Sequence, residues 1–134
     1  MVILLLYYGI STEDESSGVR GWTAGALGEI GSEKAVDPLI RALADEDRNV
    51  RGRAASALGR LKSEKAVDPL IAALKDKDSG VRWRAAFALG GLKSKKAVDP
   101  LTQALEDESE TIFGKVKDRA FDSLEKISRS SRSI

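Results

Sequence analysis

Between Glu33 and Asp45, apolar side chains fall at Val36, Leu39, Ile40 and Leu43. The spacing i, i+3, i+4, i+7 puts them on one helical face and predicts a helix over that span. Pro38 belongs in its first turn, where a missing N–H costs nothing. Two starts fit this pattern: Asp37 as N-cap, or a preceding tight turn that begins at Ser32. A short charged link, ADEDRN, follows, as between antiparallel neighbours. Beyond it, steps of 100° bring Val50, Ala54, Ala57, Leu58 and Leu61 to one side, which predicts a second helix from Arg48 to Leu61. Ala55 and Gly59 flank that side, and their small size suits close approach by a neighbouring helix.

The whole pattern then returns. SEKAVDPLIRALADEDRNVRGRAASALGRLK, residues 32–62, recurs at 63–93 as SEKAVDPLIAALKDKDSGVRWRAAFALGGLK. AVDPL starts at Ala35, Ala66 and Ala97, VR at Val19, Val50 and Val81, and ALG at Ala26, Ala57 and Ala88, so each step is 31 residues. Repetition at such a period predicts a stack of helix pairs that share one continuous core. A glycine inside a helix costs about 0.5–1 kcal/mol relative to alanine. Gly28, Gly59 and Gly90 nevertheless share one register, so packing is expected to offset the cost.

The chain divides as one domain over 1–134: a degenerate N-terminal cap at 1–17, a half repeat at 18–31, full repeats at 32–62 and 63–93, a divergent repeat at 94–128 and a flexible tail at 129–134. The last pair is predicted at about Lys95 to Asp107 and Gly114 to Ser128. There Val116-Lys117 follows Val81-Arg82 by 35 residues, so about four residues are inserted around Glu110 to Phe113. Glu125 replaces the recurring glycine, and Asp118, Asp122 and Lys126 make this helix polar, as in a terminal cap. The opening MVILLLYYGI is too short for a bilayer span of roughly 20 residues and lacks the marks of a secretory signal. It reads as a short first helix covering Gly18 to Ile30, or else as a self-association surface. The expected compartment is the cytoplasm and the expected state a monomer.

These repeats resemble the HEAT repeat, in its short-period branch named for phycocyanobilin lyase subunits. The resemblance rests on AVDPLIRALADEDRNVRGRAASALGRL and its copies, and covers about Gly18 to Ile127. It implies an all-α fold, a right-handed α-α superhelix or HEAT-like α-solenoid. About seven helices are expected, plus a short N-terminal one. First helices would line the convex side and second helices the concave side. It also implies a ladder between repeats, in which Asp47 and Asp78 match the family's acid and Arg51 and Arg82, like Arg20, match its arginine. Lys117 stands in that arginine's place in the last unit. Because the ladder residues recur in every unit, they read as structure rather than as a binding site.

Function is sought where the repeat varies. On the second helices the varying positions lie opposite the core face and gather Trp22, Arg53, Ser56, Arg60, Trp83, Arg84, Phe87 and Arg119 onto one concave strip. Tryptophan and arginine are the side chains most enriched at binding hot spots. The strip therefore points to a protein partner, with packing of Trp83 and Phe87 over a neighbouring helix as the competing use.

Chemistry is thin. With 22 lysines and arginines against 21 acids, bulk charge favours neither nucleic acid nor membrane. Arginines beside aromatics also suit a phosphate backbone, but near-neutral charge makes nucleic acid the weaker reading. There is no cysteine and no histidine, which removes thiolate chemistry together with the commonest general base and metal ligand. Asp37, Asp68 and Asp99 recur once per repeat beside proline, as helix-start caps do. No catalytic residue, metal site or cofactor site is expected. The reading is a non-catalytic interaction module, a scaffold or adaptor. The family resemblance adds an alternative, an accessory or lyase-like subunit for attaching a bilin chromophore.

Overall fold

A computed structural model describes residues 16–132. The second helices of the pairs are α1 (Ser17–Ile30), α3 (Arg48–Leu61), α5 (Ser79–Leu92) and α7 (Val116–Arg132). The first helices are α2 (Val36–Ala42), α4 (Val67–Ala73) and α6 (Val98–Ala104). Before α7 comes a small antiparallel hairpin, β1 (Glu110–Thr111) and β2 (Gly114–Lys115). The expected cap over residues 1–15 lies outside the described residues.

The first helices are shorter than their apolar spacing predicts, and both ends have a local cause. At the start, the tight turn wins over capping by Asp37. Glu33–Ala35 forms a 3₁₀ turn, and Ser32 Oγ accepts the Lys34 N–H at 3.3 Å. Glu64–Ala66 and Lys95–Ala97 repeat that turn. At the far end, Ala44 and Asp45 donate to Arg41 and Ala42, three residues back. The last turn thus tightens out of α-geometry, a common way to satisfy terminal carbonyls.

Second helices pack along one another: α1 on α3, α3 on α5, α5 on α7. The recurring glycines make this possible. A Cβ on Gly59 would lie 2.8 Å from the Ala88 Cβ, and one on Gly28 would lie 2.7 Å from the Ala57 Cβ. Gly90 meets Ser123 in the same way, and the Ser123 hydroxyl donates to the Ala86 carbonyl at 2.7 Å. Consecutive first helices scarcely meet, and each reaches the next repeat through its 3₁₀ turn. A layer packed tightly on one side and loosely on the other curves toward the tight side, so the second helices line the inside of the solenoid. Between the layers runs the core of Leu39, Leu58, Leu70, Leu89 and Leu101 with Val36, Val50, Val67 and Val81, all almost fully buried.

The ladder between repeats exists, but its acid differs from the one the family pattern suggested. Arg20 donates to both carboxylate oxygens of Asp45, at 2.8 and 3.0 Å. Arg51 does the same to Asp76, at 2.9 and 3.0 Å. Arg82 reaches Asp107 at 2.6 Å and Ser109 Oγ at 2.9 Å. Asp47 and Asp78 instead cap helices: Asp47 accepts the N–H groups of Asn49 and Val50, and Asp78 that of Val81. The candidate acids lie two positions apart in the first two links, and helix capping claims the second. Burial alone would raise the Asp45 carboxyl, but hydrogen bonds from Arg20 and the Asp47 amide hold it below the usual carboxylate range. Asp107 is held low in the same way by Arg82 and Ser109.

In the last unit Lys117 takes the arginine's place and pairs with Glu108 at 2.6 Å. The inserted residues form the hairpin. Its turn is closed by Thr111 Oγ1, which donates to the Gly114 carbonyl and accepts the Phe113 N–H. Helix α7 does not stop at Ser128 but continues to Arg132, through much of the expected tail. Arg129 pairs with Glu125 one turn back, and the Ser131 hydroxyl donates to the Ile127 carbonyl.

Candidate functional site

The variable residues of the second helices form a column along the inside of the solenoid. Trp22, Arg53, Arg84 and Arg119 share one register, offset by 31, 31 and 35 residues. Each arginine lies over the same two places on the preceding helix. Arg53 covers Gly21 and Gly25: a Cβ on Gly21 would sit 3.3 Å from its Cδ. Arg84 covers Gly52 and Ser56, with its Cδ 3.0 Å from where a Gly52 Cβ would be and its Nη1 donating to Ser56 Oγ at 2.9 Å. Arg119 covers Trp83 and Phe87, its guanidinium 4.8 and 5.0 Å from the ring centroids. The surface beneath the arginines thus changes from bare backbone to aromatic along the stack.

Trp83 and Phe87 stack with centroids 5.6 Å apart, and Trp83 also meets Phe113 of the hairpin at 4.9 Å. Packing therefore uses these aromatics only in part. Trp83 is half-buried and braces α7 and the hairpin, whereas Phe87 keeps 46% of its surface exposed. Trp22 is exposed at 55% and heads the column. Arg60 stands apart from the column, in an exposed pair with Glu29 at 3.6 Å. Of the ladder residues, Arg51 and Arg82 face the links and take no part in this surface.

Beside the column runs an open groove of about 710 Å³. Gly21, Gly52 and Gly80 line it, Arg53 and Arg84 border it, and Ile112 and Phe113 of the hairpin form one end. Ile112 is 93% exposed, and the Arg84 guanidinium lies 4.8 Å from the Phe113 ring centroid. The two hairpin residues are functional candidates that a reading by repeat register misses. Their signal was the insertion itself, which is visible as a broken period but carries no chemistry by spacing. Among the described residues, no group of three or more acids is placed to hold a metal ion, and no helix is long and apolar enough to cross a membrane.

The sequence profile of HEAT repeats matches residues 9–83 and 67–134. The chain belongs to the HEAT-repeat family. This HEAT-repeat chain is also similar to a chain in the solved complex of CpcE and CpcF of phycocyanin lyase from Nostoc sp. PCC7120. The TM-score is 0.80 at 29% identity, over 98% of this chain and 55% of that one. It therefore spans about half the length of that relative. No curated protein matches it.

Proposed function

We propose that the protein is a non-catalytic interaction module that receives a protein partner on the inner face of its second helices. The observation that carries this reading is the column of non-repeating side chains from Trp22 to Arg119 on that one face, beside an open groove that Arg53 and Arg84 border. Trp22 and Phe87 offer exposed aromatic surface there, and Arg53 and Arg84 offer charge, while the ladder arginines are spent within the fold. The solved relative, a complex of two proteins, supports a protein as partner.

The test is a photo-crosslinking amino acid placed at Phe87 and, separately, at exposed Asp68 on α4 in the outer layer. Crosslinking to a protein from Phe87 and not from Asp68 is the expected result. Equal capture from both sites, or none from Phe87, overturns the reading.

The likeness to a chain of the phycocyanin lyase complex favours a second reading, an accessory subunit in bilin attachment. Mixing the protein with a bilin would then change the chromophore's absorbance. An unchanged spectrum removes this reading and leaves the first intact.

A further inference from the structure

We infer that the groove bordered by Arg53 and Arg84 binds an acidic peptide segment of the partner, with a carboxylate set against each guanidinium. This rests on the reading that the inner face receives a protein, and it adds where and by what chemistry.

The two arginines differ from every arginine of the ladder. Arg20, Arg51 and Arg82 each hold an aspartate of the next link. Arg53 makes no hydrogen bond or ion pair with any described residue. Arg84 has one hydrogen-bond partner, the neutral Ser56 hydroxyl, and otherwise lies against the Phe113 ring. Burial, and then the nearby Arg53 charge, lowers the Arg84 pKa. Arginine keeps its proton all the same, so the pair stands as two neighbouring positive charges, neither in an ion pair with a described residue. An anion that enters the groove relieves the repulsion and supplies the bidentate acceptor that guanidinium groups favour.

The groove's lining selects among anions. Asp47, Asp78 and Glu110 also border it. A continuous polyphosphate would run against them, whereas a peptide can place its few carboxylates at the arginines alone. Asp47 and Asp78 are held at helix N-termini as caps, so they are fixed features of the rim. At the hairpin end, Ile112 and Phe113 offer apolar contact to a side chain flanking the acidic residues. The volume lies within the roughly 300–1,000 Å³ of ordinary ligand sites, which suits a short extended segment. Glycine at positions 21 and 52 leaves room for the Arg53 and Arg84 side chains to lie across the helix beneath them. Trp83 stands at the equivalent position of the next unit.

The experiment measures fluorescence anisotropy of a short fluorescein-labelled peptide in which glutamate alternates with leucine, titrated with the full chain. Its controls are the same peptide with glutamine for glutamate, and a labelled single-stranded oligonucleotide. The acidic peptide is expected to bind at least about tenfold more tightly than the glutamine version, and progressively more weakly as salt rises. Arg53→Gln with Arg84→Gln should lose about the same factor. Arg53→Gln alone, at an exposed position, should lose part of it with an unchanged unfolding curve. Equal binding of the two peptides, no binding, tighter binding of the oligonucleotide, or undiminished binding by both variants would each overturn the inference. If crosslinking from Phe87 still captures a protein that the arginine variants bind normally, the interaction reading survives and only the acidic-segment inference fails.

Discussion

Arg51 holds Asp76, 25 residues further along the chain, through two parallel hydrogen bonds of 2.9 and 3.0 Å. Its remaining nitrogen, Nη1, donates to the carbonyls of Asp45 and Glu46 in its own link. One side chain thus fastens two successive links, and both charged groups are nearly buried, at 6% and 11% exposure. Removing one member leaves the other's charge nearly buried without its hydrogen-bonded counter-charge. Asp76→Asn or Arg51→Ala is expected to cost about 3 kcal/mol, whereas Asp78→Ala, which removes a helix cap, should cost about 1 kcal/mol. Urea unfolding of the three variants measures this. An Asp78 variant as damaging as the Asp76 variant would contradict the assignment of the ladder's acid.

Close approach of α3 and α5 depends on Gly59. A Cβ there would meet the Ala88 Cβ at 2.8 Å and its Cα at 2.9 Å, and backbone cannot swing aside as a long side chain can. Gly59→Ala should therefore destabilise by about 1–3 kcal/mol, despite alanine's better helix propensity. Gly91→Ala offers the contrast. Its Cβ would find nothing nearer than a carbonyl oxygen at 3.9 Å, so it should stabilise by about 0.5–1 kcal/mol. Paired thermal melts test the opposite signs.

Helices α3 and α5 end on Lys62 and Lys93 in the left-handed conformation, φ 54° and 57°, where α1 ends on Gly31 at 75°. A side chain in that region carries a steric cost that glycine escapes. Lys62→Gly is expected to raise stability by up to about 1 kcal/mol. A fall in the melting temperature would refute it.

Acid should unfold the protein through the ladder. The carboxyls of Asp45 and Asp107 lie below their ordinary range in the fold. The stability they add is present above about pH 4, the unfolded value, and disappears as pH falls through their lowered values. With no histidine and no cysteine, the urea midpoint should stay nearly flat between about pH 5 and 8 and fall steeply below 4. In Arg20→Gln, burial of Asp45 is no longer opposed by its principal partner, so the decline should begin at higher pH.

The period of 31 residues, the helix pairing and the limits of Arg48 to Leu61 were all legible in the chain. They follow from local rules: a helical face repeats every 3.6 residues, and charged links interrupt it. The recurrence of Gly28, Gly59 and Gly90 announced a close contact before any neighbour was known. The composition of the column from Trp22 to Arg119 was legible too, because register alone aligns positions one repeat apart.

Tertiary structure decided how those side chains are used. Asp45 and Asp47 differ by two positions in one link, and sequence does not say which faces Arg20 and which caps α3. That choice depends on where the neighbouring repeat places its arginine. Likewise, spacing put Trp83, Phe87 and Arg119 on one strip, but only packing turned Arg119 onto the two rings and brought Phe113 from the hairpin against them. The insertion broke the period without revealing that it would wall a groove. A repeat states its local geometry in every copy. Contacts between copies, and the open space between Arg53, Arg84 and the hairpin, exist only once the copies are stacked.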